Sequence, residues 1–99
     1  MIIYIDIDDT ICNTNKNLDY SKSIPIKESI EKANKLYDEG HTIIYWTARG
    51  TISGIDWTNI TKEQFKKWGV KYHELKFNKP VYDLFIDDKN ISTKEWMKS

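Results

Sequence analysis

The first apolar run, Ile2 to Ile7, is β-branched and aromatic and passes into carboxylates, which predicts a buried strand. Pro25 suits the first turn of a helix. Ile26, Ile30, Ala33 and Tyr37 then recur at spacings of four, three and four, one helical face that Gly40 closes. His41 to Trp46 predicts a second strand, apolar on both faces through Ile43, Ile44, Tyr45 and Trp46. Thr47 to Ile55 is a loop containing Gly50 and Gly54. Asp56 or Thr58 caps a second helix, with Trp57, Ile60 or Thr61, Gln64, Phe65 and Trp68 on its face and Gly69 at its end. Val70 to Leu75 predicts a short strand, Asn78-Lys79-Pro80 a turn, and Val81 to Ile86 the last strand, ending in Asp87 and Asp88. Ser92-Thr93-Lys94-Glu95 matches a capping box and predicts a short terminal helix. Asn13 to Ser23 is polar and aperiodic, and reads as a loop.

Continuous apolar strands alternating with helices predict an α/β fold, a small parallel sheet with helices on both faces. A chain of 99 residues is expected to form one domain, 1–99. Basic and acidic residues each number 15, a balance that argues against nucleic acid as a partner. Arg49 is the lone arginine. The single cysteine, Cys12, excludes an internal disulfide framework and fits a reducing compartment. The opening apolar run is too short for a signal peptide or a membrane span, so a cytoplasmic protein without a membrane partner is the expectation. So small and aromatic a core leaves room for a partner surface, and with it a homo-oligomer.

The chemistry gathers at the predicted strand ends. Asp6, Asp8, Asp9 and Thr10 follow the first strand, Thr47, Ala48 and Arg49 the second, and Asp87 and Asp88 the last, with Lys79 shortly before it. Open parallel α/β sheets bind ligands at that edge. Two acidic clusters brought together require a compensating cation, and a hard divalent ion such as Mg2+, which favours phosphate, is the natural one. Carboxylates at i and i+2 of an extended segment point the same way, so Asp6 and Asp8 can address one phosphoryl group as nucleophile and acid/base. Thr47 and nearby backbone N–H groups can hold the phosphate, and a lysine can neutralise it. Arg49 suits bidentate phosphate or carboxylate recognition, with a structural salt bridge as its rival role. His41 and His73 read as structural, and nothing near Cys12 marks a reactive thiol. Trp46 or Trp57 can border a substrate.

Asp6-Ile7-Asp8-Asp9-Thr10, then Thr47, Lys79-Pro80 and Asp87-Asp88 resemble the four ordered motifs of the haloacid dehalogenase (HAD) superfamily of phosphatases. The resemblance implies a three-layer Rossmann-like, HAD-like fold and a Mg2+-dependent phosphoric monoester hydrolase working through an aspartyl-phosphate. It implies Asp6 as nucleophile and metal ligand, and Asp8 as acid/base whose carbonyl also meets the metal. It further implies Thr47 and Lys79 on the phosphoryl group, with Ala48 and Arg49 beside them, and Asp87, with Asp88, at the metal. Trp46 to Gly50, Lys66 to Glu74 and Asp87 to Ile91 are similar to a smaller subgroup, the capsule or polysaccharide biosynthesis phosphatases, which implies a sugar phosphate as the small-molecule substrate. Asp9 stands where the family often has glycine. The chain has no room for a cap domain, so an open site is expected, covered at most by the loop from Ile11 to Ile24 or by a neighbouring subunit.

Three other readings stand beside this one. A phosphatase for nucleotides or nucleic-acid ends belongs to the same class. A receiver-like phosphoacceptor module uses similar residues, but it needs an aspartate after a middle strand, where this chain has Thr47. A catalytically silent binding protein would keep the fold and lose the metal.

Overall fold

The computed structural model describes residues 1–17 and 19–99, and Leu18, within the polar stretch 13–23, lies outside the described residues. Its central sheet has three parallel strands, β1 (Ile2–Ile5), β4 (Thr42–Trp46) and β5 (Glu74–Lys76), in the order β1-β4-β5. The register sets Ile3 opposite Ile43 and Ile5 opposite Tyr45, with Tyr45 opposite Leu75 in turn. Strand side chains alternate between faces, so these five share one face, and Ile2, Tyr4, Ile44 and Trp46 share the other.

The first face carries the core. Helix α1 (Lys27–Asp38) contributes Ile30 and Ala33, and helix α2 (Thr58–Trp68) contributes Phe65, to one cluster with Ile5, Ile7, Ile43 and Tyr45. The Phe65 ring meets Tyr45 edge-on at 5.0 Å. The short helix α3 (Thr93–Lys98) packs Trp96 against the same cluster. Among the described residues the helices therefore lie on one face, and the second helical layer expected from the sequence is not formed. Both crossovers, β1 to β4 and β4 to β5, step in the same direction along the sheet, so right-handed connections put their helices on the same side. The helix after β5, α3, packs on the core face too, so among the described residues no helix covers the reverse, where Ile2 is 71% and Tyr4 52% exposed.

Several expected elements form where the pattern places them. β4 coincides with the predicted strand to within one residue, and Gly69 ends α2 in the left-handed region at φ 70°. Ser92 Oγ accepts from the Glu95 N–H at 3.2 Å, the first half of the capping box. Other boundaries move. Pro25 is not in the first turn of α1. It pairs with Cys12 in a two-stranded antiparallel ribbon, β2 (Cys12–Asn13) with β3 (Ile24–Pro25), which closes the base of the polar loop. Trp57 stands at the α2 N-terminus without a side-chain cap bond, although Asp56 Oδ1 accepts from the Thr58 N–H at 2.9 Å. β5 is shorter than Val70–Leu75 and shifted towards the turn.

The largest correction concerns Val81–Ile86. This segment is not a strand and pairs with nothing among the described residues, and its Leu84 and Ile86 are 75% and 86% exposed. Its apolar run is that of a strand, but the tether at Lys79 leaves too little chain for it to lie parallel beside β1 with Asp87 level with Asp6.

Gly50 turns the chain after β4 at φ 80°, and a Cβ there would fall 2.2 Å from the Ile55 carbonyl oxygen. Gly50→Ala therefore combines a left-handed strain with a backbone clash and is expected to cost about 1–3 kcal/mol. A thermal melt of that variant within a degree of the parent would refute this account of the turn.

Candidate functional site

The loop after β1 is drawn tight by its own backbone. The Ile7 carbonyl accepts from the N–H groups of Thr10 (3.1 Å) and Ile11 (2.9 Å), and the Asp9 N–H donates to the Cys12 carbonyl at 2.7 Å. Ile7 and Ile11 are fully buried and anchor the turn. Asp9 adopts φ 63°, the left-handed region that glycine favours and aspartate tolerates. The backbone at Asp9 thus takes a conformation that glycine adopts without strain.

This turn presents Asp6 to a cleft of about 190 Å3 that it lines with Ala48, Lys79, Pro80, Val81 and Tyr82. Lys79 Nζ stands 3.4 Å from Asp6 Oδ1. Thr10 Oγ1 donates to Asp6 Oδ2 at 3.4 Å and pairs with Thr93 Oγ1 at 2.8 Å. Burial raises the Asp6 pKa above the ordinary carboxylate value, against the opposing pull of Lys79, and the neighbouring charge of Asp8 adds to the rise. The folded state therefore binds its Asp6 proton more tightly than the unfolded chain does. That contribution to stability is present at low pH and is lost as pH rises through the folded pKa. Asp6→Asn removes it, so the stability of the variant relative to the parent is expected to improve as pH goes from about 4 to neutral. Paired denaturant titrations across that range check the slope, and the opposite sign would exclude burial as the dominant cause.

Asp8 is held differently. Arg49 Nε donates to its Oδ2 at 3.0 Å and Nη2 to its Oδ1 at 2.9 Å, a bidentate pair. Thr14 Oγ1 donates to Oδ1 at 2.5 Å. Arg49 Nη1 donates to Thr61 Oγ1 (2.9 Å) and Gln64 Oε1 (2.6 Å), and Nη2 also reaches Cys12 Sγ at 3.8 Å. Its guanidinium lies 4.9 Å from the centre of the Tyr20 ring. The Arg49 side chain is fully buried, and its five N–H donors have five partners inside the protein. Of its two expected roles the salt bridge is the one formed, and no donor is left for a substrate. Sequence reasoning missed Thr14, Thr61, Gln64 and Tyr20 as supports of Asp8. Only the spacing of Thr61 and Gln64 on one face of α2 marked them in advance.

Thr47 is buried, and its Oγ1 accepts from the Arg49 N–H at 3.1 Å, which leaves its hydroxyl proton free to donate. Lys79 is fixed at the backbone: its N–H donates to the Thr47 carbonyl at 3.0 Å, and its carbonyl accepts from Thr51 Oγ1 at 2.9 Å. Cys12 is buried beside Asp8, and burial pushes its thiol up to about 11, away from reactivity. A second cleft of about 290 Å3 adjoins the turn, with Gly50, Trp57, Phe77 and Asn78 in its wall.

Asp6, Asp8, Thr47, Ala48 and Lys79 thus come together at the carboxyl edge of the sheet. Asp87 and Asp88 do not join them. Both are exposed, and the Lys89 N–H, donating to Asp87 Oδ1 at 3.0 Å, is the largest cause of a lowered Asp87 pKa. Among the described residues no three acidic, histidine or cysteine side chains converge as a metal-binding group. The donor chemistry around Asp6 still suits a hard cation, since a half-buried carboxylate made costly by burial stands beside a second carboxylate.

A crystal structure of a structural-genomics target from Vibrio cholerae is similar to this chain with a TM-score of 0.89 at 25% identity, covering 100% of this chain and 89% of that one. The likeness agrees with a small Rossmann-like α/β fold. No protein-family model and no curated protein matches the sequence. No helix among the described residues is long and apolar enough to cross a membrane.

Proposed function

We propose that the protein is a capless, magnesium-dependent phosphatase of the haloacid dehalogenase type, built on the Rossmann-like sheet described above. The observation that carries this reading is the Asp6–Lys79 pair, 3.4 Å apart in an open cleft beside the Thr47–Ala48 turn. A carboxylate aimed into such a cleft and partnered by a single ammonium suits a nucleophile facing a dianionic phosphoryl group.

Asp6 attacks phosphorus in line, forming an Asp6–phosphate bond as the bond to the leaving alcohol breaks, and the leaving oxygen takes a proton from water in the open cleft. Asp8 then accepts a proton from water as the water oxygen attacks phosphorus, releasing phosphate and restoring the Asp6 carboxylate. Lys79 offsets charge on Asp6 and on the phosphoryl oxygens, and Thr47 donates its hydroxyl hydrogen to one of them. Mg2+, held by the Asp6 carboxylate and the Asp8 carbonyl, would neutralise phosphoryl charge when bound. Arg49 touches no substrate and fixes the rotamer of Asp8.

The cleft walled by Trp57 and Phe77 favours a ring-bearing leaving group, such as a sugar or a nucleoside. Hydrolysis of an aryl phosphate is expected to stop on chelation with EDTA and to return on adding Mg2+. Turnover that survives EDTA would reject the metal-dependent mechanism. The separation of Asp87 and Asp88 from Asp6 favours a second reading, a silent binding protein, and calorimetry with Mg2+ separates the two: the phosphatase takes up the ion and the silent protein does not.

A further inference from the structure

We infer that the outer edge of β1 receives the segment Val81–Ile86 from a second copy of this chain, and that this exchange brings the partner's Asp87 beside Asp6. The inference rests on the phosphatase reading for the role of Asp87, although the exchange itself rests on geometry.

Two incomplete surfaces lie on the same molecule. β1 pairs with β4 on one side only, and among the described residues its other edge is unpaired. An open edge with Ile2 and Tyr4 exposed beside it is a template for another strand. Val81–Ile86 has the composition of a strand, ends in two carboxylates as β1 does, and exposes Val81, Leu84, Phe85 and Ile86. Strand addition satisfies both.

Chain length excludes the same pairing within one copy. If Asp87 stands level with Asp6 on a parallel strand, Asp83 stands level with Ile2. Lys79 is tied at the level of Thr47, and the register continues from Ile5–Tyr45 to place that level opposite Ile7. From there to Ile2 is five residues along the sheet, about 16 Å, with at least two strand spacings, about 10 Å, across it, so about 19 Å in all. The four steps from Lys79 to Asp83 span about 14 Å at full extension. An antiparallel arrangement would be reachable, but it would leave Asp87 at the far end of β1. A second copy has no such tether. The segment leaves its own body at Lys79 and returns where Thr93 Oγ1 meets Thr10 Oγ1, so both ends stay at home while the middle projects.

The area is sufficient. Each copy both gives a segment and receives one, and full burial of Ile2, Tyr4, Leu84, Phe85 and Ile86 would remove at most on the order of 600–700 Å2 per copy, at the lower end of the roughly 600–1,000 Å2 per partner of a standard specific interface. Lys79 already pairs with Asp6, and the incoming Asp87 adds a second carboxylate there, an acidic pair that a divalent cation offsets.

Three measurements on the full chain decide the matter. Light scattering is expected to give twice the 11.8 kDa of the chain, and a monomer at micromolar concentration would overturn the exchange. Tyr4→Cys on a tagged copy and Phe85→Cys on an untagged copy, co-expressed, are expected to join through a short bismaleimide linker, because the register sets these positions side by side. A dimer in which they do not cross-link overturns the pairing. Finally, a tandem-purified mixed dimer of Asp6→Asn with Asp87→Asn is expected to keep about half the aryl-phosphatase activity of the parent, since one of its two sites has both aspartates. Both single-variant dimers are expected to be inactive, and an inactive mixed dimer overturns delivery in trans. If the parent itself hydrolyses nothing, the phosphatase reading falls, while mass and cross-linking still decide the exchange.

Discussion

Asp8→Ala is expected to destabilise the fold by about 3–5 kcal/mol, because it strips the partner from a guanidinium with no access to water. A guanidinium buried this way keeps its charge. Its other donors are bound to Thr61 and Gln64, so it cannot swing out to solvent without breaking those bonds as well. The penalty belongs to the orphaned charge, and the double variant Asp8→Ala, Arg49→Met is expected to recover much of it, since methionine fills the same channel without a charge. Urea or guanidinium titrations of the two single variants and the double variant measure the coupling. Additive losses would mean that the pair is not the cause. A loss of activity in Asp8→Ala must therefore be read against its folded fraction, and a soluble, inactive Asp8 variant is not by itself evidence of a proton-transfer role.

Asp6→Asn is the cleaner probe of chemistry, and its expected effect is larger. A carboxylate nucleophile replaced by an amide cannot form the acyl-phosphate, so turnover of an aryl phosphate is expected to fall by about 10^4-fold or more, which corresponds to about 5–6 kcal/mol of transition-state stabilisation. The fold is expected to be unharmed, because Asp6 is held by one lysine and one threonine and its burial opposes its charge. Residual activity within tenfold of the parent would remove Asp6 as the nucleophile. The two substitutions thus separate two neighbouring aspartates, one of which supports the structure while the other costs it stability.

The sheet and the position of the site were legible because each depended on local pattern. Ile43 to Trp46 is apolar on both faces and stands between a helix stop and a glycine turn, which fits only a central strand. The carboxylates after β1 and Thr47 after β4 reach the same edge simply because the strands are parallel. Long-range pairings carried no such signal. Nothing near Arg49 in sequence shows that Thr61 and Gln64, 12 and 15 residues on in α2, will take its remaining donors. The ribbon of Cys12 with Pro25 depends on two residues in each strand, too few for a period-two pattern to appear. Val81–Ile86 misled for another reason: its apolar run describes what the segment can pair with, whereas the tether at Lys79 determines where it can go.

The enclosure of Arg49 also bears on how selective the cleft is. On the phosphatase reading, with the only guanidinium committed to the interior, anion recognition there falls to the Thr47 hydroxyl and to Lys79, a flexible point charge without the planar fork that reads the shape of an oxyanion. Such a site senses the amount of charge better than its arrangement. Tetrahedral mimics such as sulfate, vanadate and tungstate should compete with one another on nearly equal terms, and selection among phosphorylated molecules then falls to the walls around the leaving group.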